Sequence, residues 1–397
     1  MRLIRSNRLS RRVIVALAAI GMAAGASLPA LAAPAAAATK SVLVVGSITS
    51  TTGSCLPFPT TDVLQTNAAW AKSVNAHGGI AGHKVKLLNY NDSCDPGQSA
   101  AFAQKLINAH VLAVLDNTEF DTGWQASVTK AGIPILCGIE TGNNPSCFTN
   151  ANFFPSGTTV LSGLYGNVYA AKKAGAKSYG VVYCTELAAC AQALPLFKNY
   201  SGQLGLTYVN PLAASETASS YTAQCLAFKS EHADAIFPAG PPSDKFAQDC
   251  AQQDYRPVIT QSAGTWQNRF TKVSALNNTT GSYPDVPWFL KVPATKAFLA
   301  AAGKILKNAT SPYNVSGAWA AGLLFQYAAA HVGANPTTQD IYQGLYAMKG
   351  TTLGGFAPPL TFTKGKLPAA NCYFVVSIKK GKFVAPQGTK TSCQPTS

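Results

Sequence analysis

Charge is scarce in this sequence: 12% of its 397 residues are Asp, Glu, Lys or Arg, and 16 of them are acidic. Histidine is scarcer still at five, and His77, His83, His110, His232 and His331 lie too far apart along the chain for a metal-ligand spacing. There is no C-x-x-C, no G-x-S-x-G elbow, no P-loop and no H-E-x-x-H. The glycine-rich run Gly78-Gly79-Ile80-Ala81-Gly82 follows a helical pattern instead of opening one, so it reads as a turn and not as a dinucleotide loop. Cys184 and Glu186 could be drawn as a reactive pair, but the nearby Cys190 favours a structural bridge. These absences leave little from which to assemble nucleophile and base, so neither an enzyme activity nor a cofactor is expected. Past the N-terminus no apolar run is long enough to span a bilayer, since 290–302 and 317–330 are short or amphipathic.

The formal charge is nonetheless +15, because basic residues outnumber acidic ones. Five of those charges, Arg2, Arg5, Arg8, Arg11 and Arg12, fall in a segment with the parts of a secretory signal: arginines, the apolar run 13–24, and small residues suited to cleavage after Ala32 or nearer Ala38. Residues 1–38 are therefore expected to be a signal peptide, by either the general or the twin-arginine route, and to leave 15 − 5 = +10 on a secreted or cell-envelope protein. This segment contains no cysteine, so no lipid attachment is expected. The remaining lysines are scattered, whereas a phosphate-tracking groove needs clustering, so no nucleic-acid partner is expected.

Ten cysteines outside the signal fit an oxidising compartment and argue for disulfides over zinc. Sequence alone does not choose the pairing. Neighbouring strand ends favour Cys55 with Cys94. Proximity along the chain favours Cys137 with Cys147, Cys184 with Cys190, Cys225 with Cys250, and Cys372 with Cys393.

The pattern from Lys40 onward is strand, loop, helix, repeated. An apolar run at 42–45 enters the hydroxyl-rich loop 46–53, then Leu64, Ala68, Ala71 and Val74 mark one helical face. Alternation over 83–90 reads as a second strand, and Asp95-Pro96 starts a second helix. Further strands are expected near 111–115, 133–137, 179–184, 206–209, 235–237 and 258–260, with one helix over 187–204. The segment 281–287, broken by Pro284 and Pro287, reads as a crossing, and after three more helices 360–363, 373–378 and 383–385 read as a small antiparallel addition. This is a doubly wound α/β pattern repeated twice, and such sheets bind ligands at the carboxyl ends of their strands.

Polar residues concentrate at those ends. Seven of the acids, Asp92, Asp95, Asp116, Glu119, Asp121, Glu140 and Glu186, follow predicted strands. Helix capping accounts for Asp95 and Asp121, whereas Glu140 and Glu186 could meet a ligand ammonium. Thr51, Thr52, Asn117, Thr118 and Thr141 stand where donors to a ligand carboxylate are wanted. Ile139, Tyr183, Gly240 and Trp266 complete the candidate contacts.

The stretches "VGSITSTTG" at 45–53, "NAHGGIAGHKV" at 75–85, "NYNDSCDPGQSAAFAQKL" at 89–106, "SPYNVSGAWAAGLLFQYAAAHVG" at 311–333 and "GGFAPPLTFTKGKLP" at 354–368 resemble the leucine/isoleucine/valine-binding family of ABC-transporter solute receptors. The resemblance implies a type I periplasmic-binding-protein fold, in which two Rossmann-like lobes with parallel sheets are joined by a three-stranded hinge and close on a ligand like a Venus flytrap. The lobes would be 40–154 plus 283–353 and 155–282 plus 354–397, with crossings near Phe154, Gly281 and Gly354. It further implies a monomer that hands a small amino-acid-like or related carboxylate ligand to an ABC permease; a secreted sensing domain on the same fold is the alternative. Carried over by position, the family's carboxylate-binding hydroxyls fall near Thr118 and Thr141, its aromatic wall near Phe58 and its second-lobe acid at Asp244. The family often pairs the cysteine of the "CDP" turn with one after the third strand, where this chain has 116–118 instead. Two further departures are 154–158 (FPSGT), which lacks the arginine or acid expected there, and Ala188, which stands where an aromatic is usual.

Overall fold

The computed structural model describes residues 40–53, 61–139, 146–186 and 188–395. The expected signal segment, Cys55, Phe58, Glu140 and Thr141 lie outside these residues. Strand β1 (Leu43–Thr49) leads to helix α1 (Thr61–Ala76), β2 (Val85–Asn91), α2 (Pro96–Asn108), β3 (Val114–Asn117), α3 (Gln125–Lys130), β4 (Ile135–Cys137), α4 (Ser146–Thr149) and β5 (Phe153–Pro155). Together these strands form a five-stranded parallel sheet in the order β2-β1-β3-β4-β5. β1 runs further than its apolar start indicated, through Gly46, Ser47 and Thr49. The hydroxyls made this part look like a loop, but Asn67 Nδ2 on α1 donates to Ser47 Oγ at 3.0 Å, so polarity is satisfied inside the sheet. Gly46 lets α2 lie close, because a Cβ there would stand 2.6 Å from the Leu106 methyls.

Then follow α5 (Val160–Lys173), β6 (Ser178–Cys184), α6 (Ala188–Gln192), α7 (Leu194–Gln203), β7 (Thr207–Tyr208), β8 (Leu212–Ala214), α8 (Thr222–Ser230), β9 (Ala235–Ala239), α9 (Ser243–Gln252), β10 (Val258–Gln261) and β11 (Thr280–Tyr283). The single helix expected over 187–204 is two, because Pro195 has no N–H to continue a turn and sits instead in the first turn of α7. After α10 (Lys296–Asn308), α11 (Pro312–Ala328), α12 (Thr338–Tyr346) and the short pair β12 (Lys349–Thr351) and β13 (Leu360–Thr361), the chain ends with β14 (Cys372–Lys379), β15 (Lys382–Val384) and β16 (Ser392–Cys393). The last strands are no separate addition. β14 lies antiparallel to β11 in a nine-stranded sheet with path β15-β14-β11-β10-β9-β6-β7, on which β16 pairs with β14 and β8 with β6. Lys380 and Gly381, both at positive φ, make the tight turn from β14 to β15.

Helix α11 is buried on nearly every side and packs with α10 against α1, where Trp70 meets Phe325 edge-on and Gly322 leaves room for the indole. No helix among the described residues is long and apolar enough to cross a membrane.

Among the described residues, three segments pass between the two sheets, at 156–159, 284–295 and 363–371. The second begins after β11, so 281–283 is strand and not crossing. The third falls later than Gly354, because Phe356 packs on Phe298 at 5.3 Å and Phe362 on Phe154 at 5.2 Å, which holds 354–362 beside the first sheet. Thr158 N donates to Pro284 O at 3.3 Å, Thr158 Oγ1 to Cys372 O, and Thr159 N to Ala370 O at 3.2 Å, so the three passages are bonded side by side.

Asp285 sits in this junction, 1% exposed. Ser316 Oγ donates to Asp285 Oδ2 at 3.0 Å, while Asp285 Oδ1 has no partner among the described residues. Burial raises this carboxyl to about 7, against the opposing hydrogen bond from Ser316. A carboxyl whose folded pKa exceeds its unfolded one contributes stability at low pH that is lost as pH rises through the folded value. Unfolding free energy should therefore fall between about pH 4 and 7, with a slope approaching 1.4 kcal/mol per pH unit from this group. Asp285→Asn should flatten that slope in urea titrations run across the range; an unchanged slope would show that Asp285 is not its source.

Candidate functional site

The carboxyl ends of the first sheet carry a buried polar network. Thr118, fully buried, donates its hydroxyl to Asp92 Oδ2, stands 2.9 Å from Ser50 Oγ, and accepts from Phe120 N at 3.2 Å. Asn117 joins the ends of three strands: its Oδ1 accepts from Ile139 N at 3.1 Å and its Nδ2 donates to Ser47 Oγ at 3.4 Å. Thr51 N donates to Asn91 Oδ1 at 3.0 Å, and Asn91 Nδ2 donates to the exposed Thr52 hydroxyl at 2.9 Å. Thr51, Asn117, Thr118 and Ile139 are all buried, and the structure gathers them at one end of the sheet but directs much of their hydrogen bonding into the protein. Asp95 caps α2 from its side chain, as its sequence position indicated.

Asp116 is fully buried beneath them; burial, followed by the carboxyls of Asp121, Glu119 and Asp92, pushes its pKa well above the usual range. Its nearest metal-type neighbours are the sulfurs of Cys137 and Cys147, and those are joined in a disulfide. The second such group, Cys184 with Glu186 and Glu216, likewise includes a disulfide sulfur, so neither offers a thiolate.

Two residues that the sequence did not single out belong to this end of the sheet. Asp62 opens α1 and Asn314 opens α11, and Asn314 Nδ2 donates to Asp62 Oδ1 at 3.3 Å across 252 residues of chain. Burial raises Asp62 to about 6, opposed by that bond. Tyr313 donates to Gly138 O at 3.4 Å, and Gly317 lets α11 approach Ile139, so the N-termini of both helices lie against the strand ends. Asp62 has the sequence position of an ordinary first-turn acid, and only tertiary packing distinguishes it.

In the second sheet, Tyr183 is half-buried near the end of β6. Glu186 is exposed and accepts from Ser215 Oγ and, at 3.0 Å, from Glu216 N; the Ser215 bond chiefly lowers its pKa. Gly240 has φ +115°, and a Cβ there would meet Cys184 and Glu216, so the turn after β9 accepts no side chain. Asp244, in the first turn of α9, is held by Arg269 through Nε at 3.0 Å and Nη2 at 3.1 Å, so its charge is already matched. Trp266 is not at the strand ends: fully buried, it donates to Ser282 O at 3.0 Å and packs among Trp288 and Phe383. An aromatic following a strand carries no mark in sequence of which way it turns.

The disulfides Cys137–Cys147, Cys184–Cys190, Cys225–Cys250 and Cys372–Cys393 join as expected. Cys94 is also disulfide-bonded, while its expected partner Cys55 lies outside the described residues. Cys94, Cys137 and Cys184 each stand at the end of a strand, at β2, β4 and β6. The remaining bridges tie α8 to α9 and β14 to β16, away from these ends.

Comparison with known proteins agrees with this architecture. A family profile described as "Periplasmic binding protein" matches residues 22–382. The Leu/Ile/Val-binding protein of Escherichia coli strain K12 is 43% identical over 42 residues, a stretch that spans 11% of this chain and 11% of that relative. Among solved structures, a fatty acid ABC transporter substrate-binding protein from Thermomonospora curvata superposes with TM-score 0.67 at 19% identity, covering 88% of this chain and 92% of the other. A solute-binding protein from R. palustris in complex with 4-hydroxybenzoate gives 0.65 at 19% identity, covering 90% and 98%. This chain belongs to the periplasmic binding protein family and has its type I fold, that of the non-enzymatic solute-binding proteins of ABC transporters.

Proposed function

We propose that this protein is an exported solute receptor of an ABC importer that closes two lobes on a small carboxylate-bearing molecule and delivers it to a membrane permease. The observation that carries this reading is the junction of three hydrogen-bonded passages at Thr158, Pro284 and Ala370–Cys372, which gives the two sheets a common hinge. The lobes on this reading are 40–154 with 283–353 and 155–282 with 354–397, with 354–362 transferred to the first by the packing of Phe356 and Phe362.

A carboxylate is favoured as the ligand's recognised group for two reasons. The N-termini of α1 and α11 bring partial positive charge to the strand ends of the first lobe. Amino acids, fatty acids and 4-hydroxybenzoate, the ligands in the relatives' descriptions, share this group and differ elsewhere. An amine is not required by Asp244, which Arg269 already neutralises.

A thermal-shift screen of the purified protein against amino acids, fatty acids and aromatic acids should find a carboxylate that raises the melting temperature. At one hundred times its Kd such a ligand stabilises by about 2.7 kcal/mol. A screen in which amides and alcohols raise it while every carboxylate fails would sink the proposal.

The cross-links sort by location. Removing Cys184–Cys190 as a double Ser variant should cost about 2 kcal/mol of stability, because the loop is short, yet weaken the ligand found in the screen roughly tenfold by freeing the Glu186 loop. Removing Cys225–Cys250 should cost more, about 3 kcal/mol for its longer loop, and leave Kd within a factor of about two. Calorimetry of both variants reads the contrast, and equal losses of affinity would place the ligand away from β6.

A further inference from the structure

The cavity of about 410 Å³ lined by Arg269, Lys272 and Lys307, with Asn268 and Thr310 between them, has no acidic residue in its wall. Its cations come from two places. Arg269 and Lys272 belong to the segment joining β10 to β11, which is fixed to the second sheet by the buried Phe270 ring and by the Arg269 bond to Asp244 on α9. Lys307 lies in the last turn of α10, which packs on α1 beside the first sheet. Asn268 closes the floor, donating from Nδ2 to Leu306 O at 2.9 Å and Ala309 O at 3.1 Å. The groove thus straddles a seam between the two halves of the protein.

Lysines spread over a surface are ordinarily solvated and hold nothing. These differ in facing one concavity from opposite sides. Lys272 and Lys307 make no ion pair among the described residues, and Asp244 occupies only part of the Arg269 fork. Like charges gathered across a groove repel, and an anion of more than one charge reverses that repulsion. A guanidinium edge beside two ammonium groups suits the several oxygens of a phosphate.

We propose that this seam groove binds a phosphate-class anion, which bridges Lys307 on one half to Arg269 and Lys272 on the other and so favours the arrangement in which the halves meet. The anion stabilises only the arrangement that presents all its partners together, and by reciprocity it is coupled to whatever occupies the main cleft. The proposal does not depend on the identity of that ligand, and its test requires none.

The test uses the purified full-length exported protein, inorganic phosphate as probe, and chloride at matched ionic strength as reference. Phosphate should raise the melting temperature by about 2 °C or more beyond chloride. Because phosphate also stabilises proteins by exclusion from their surface, the deciding comparison is between variants of equal charge change. Lys272→Gln with Lys307→Gln should weaken phosphate binding at least tenfold by calorimetry, whereas Lys86→Gln with Lys198→Gln, exposed and outside the groove, should leave it unchanged. A second arm sediments the protein with phosphatidylglycerol or phosphatidylcholine vesicles. Groove-dependent binding to the anionic vesicles alone assigns the phosphate to a lipid headgroup, and groove-dependent binding of inorganic phosphate assigns it to a free ion. Equal phosphate binding by both double variants, with no groove-dependent sedimentation, would overturn the proposal.

Discussion

Thr158 donates from its backbone to Pro284 and from its hydroxyl to Cys372, and those bonds hold three otherwise separate lengths of chain in register. Short connections of this kind can bend while the packed sheets on either side stay intact, because a close-packed interior deforms at its joints before it deforms within. The burial of Asp285 in the joint follows from where these passages lie. A chain with few charges can build such a joint economically, since its buried polar groups are mostly hydroxyls and amides, which find partners without the desolvation cost of ions.

Polarity buried at the ends of the first sheet is the second theme. Ser47, Thr49, Ser50, Asn117 and Thr118 would each weaken a sheet if left unpaired, yet most bond to one another or to the backbone. Such a network fixes the positions of strand ends and of the loops that leave them. The bridges at Cys94 and Cys137–Cys147 restrain those same loops covalently. A surface held from two directions presents its groups to a partner with little ordering left to do, which is how a binding site keeps affinity at low entropic cost.

Much of this was legible in order and spacing. The strand-helix alternation, the turn at Gly78–Gly82, the cap at Asp95 and the cysteine pairs at short separation depend on local chemistry and on short chain distances, and the structure reproduces them. What misled was polarity taken as a sign of exposure. The hydroxyl-rich end of β1 read as loop because no spacing rule reveals that Asn67 will meet Ser47. Trp266 read as a contact because its turn into the aromatic cluster with Trp288 and Phe383 depends on residues far along the chain.

The sequence by itself determined the alternating elements and the family likeness and favoured the short-range cysteine pairs, because each is written in neighbours a few residues apart or in order along the chain. Tertiary structure alone decided which polar groups are used up and which stay available. It brought Asn314 to Asp62, Arg269 to Asp244 and Lys307 across from Lys272, and it sealed Asp285 into the hinge. The physical reason is that hydrogen bonding and desolvation depend on distances of a few ångströms through space, and separation along the chain does not specify those distances.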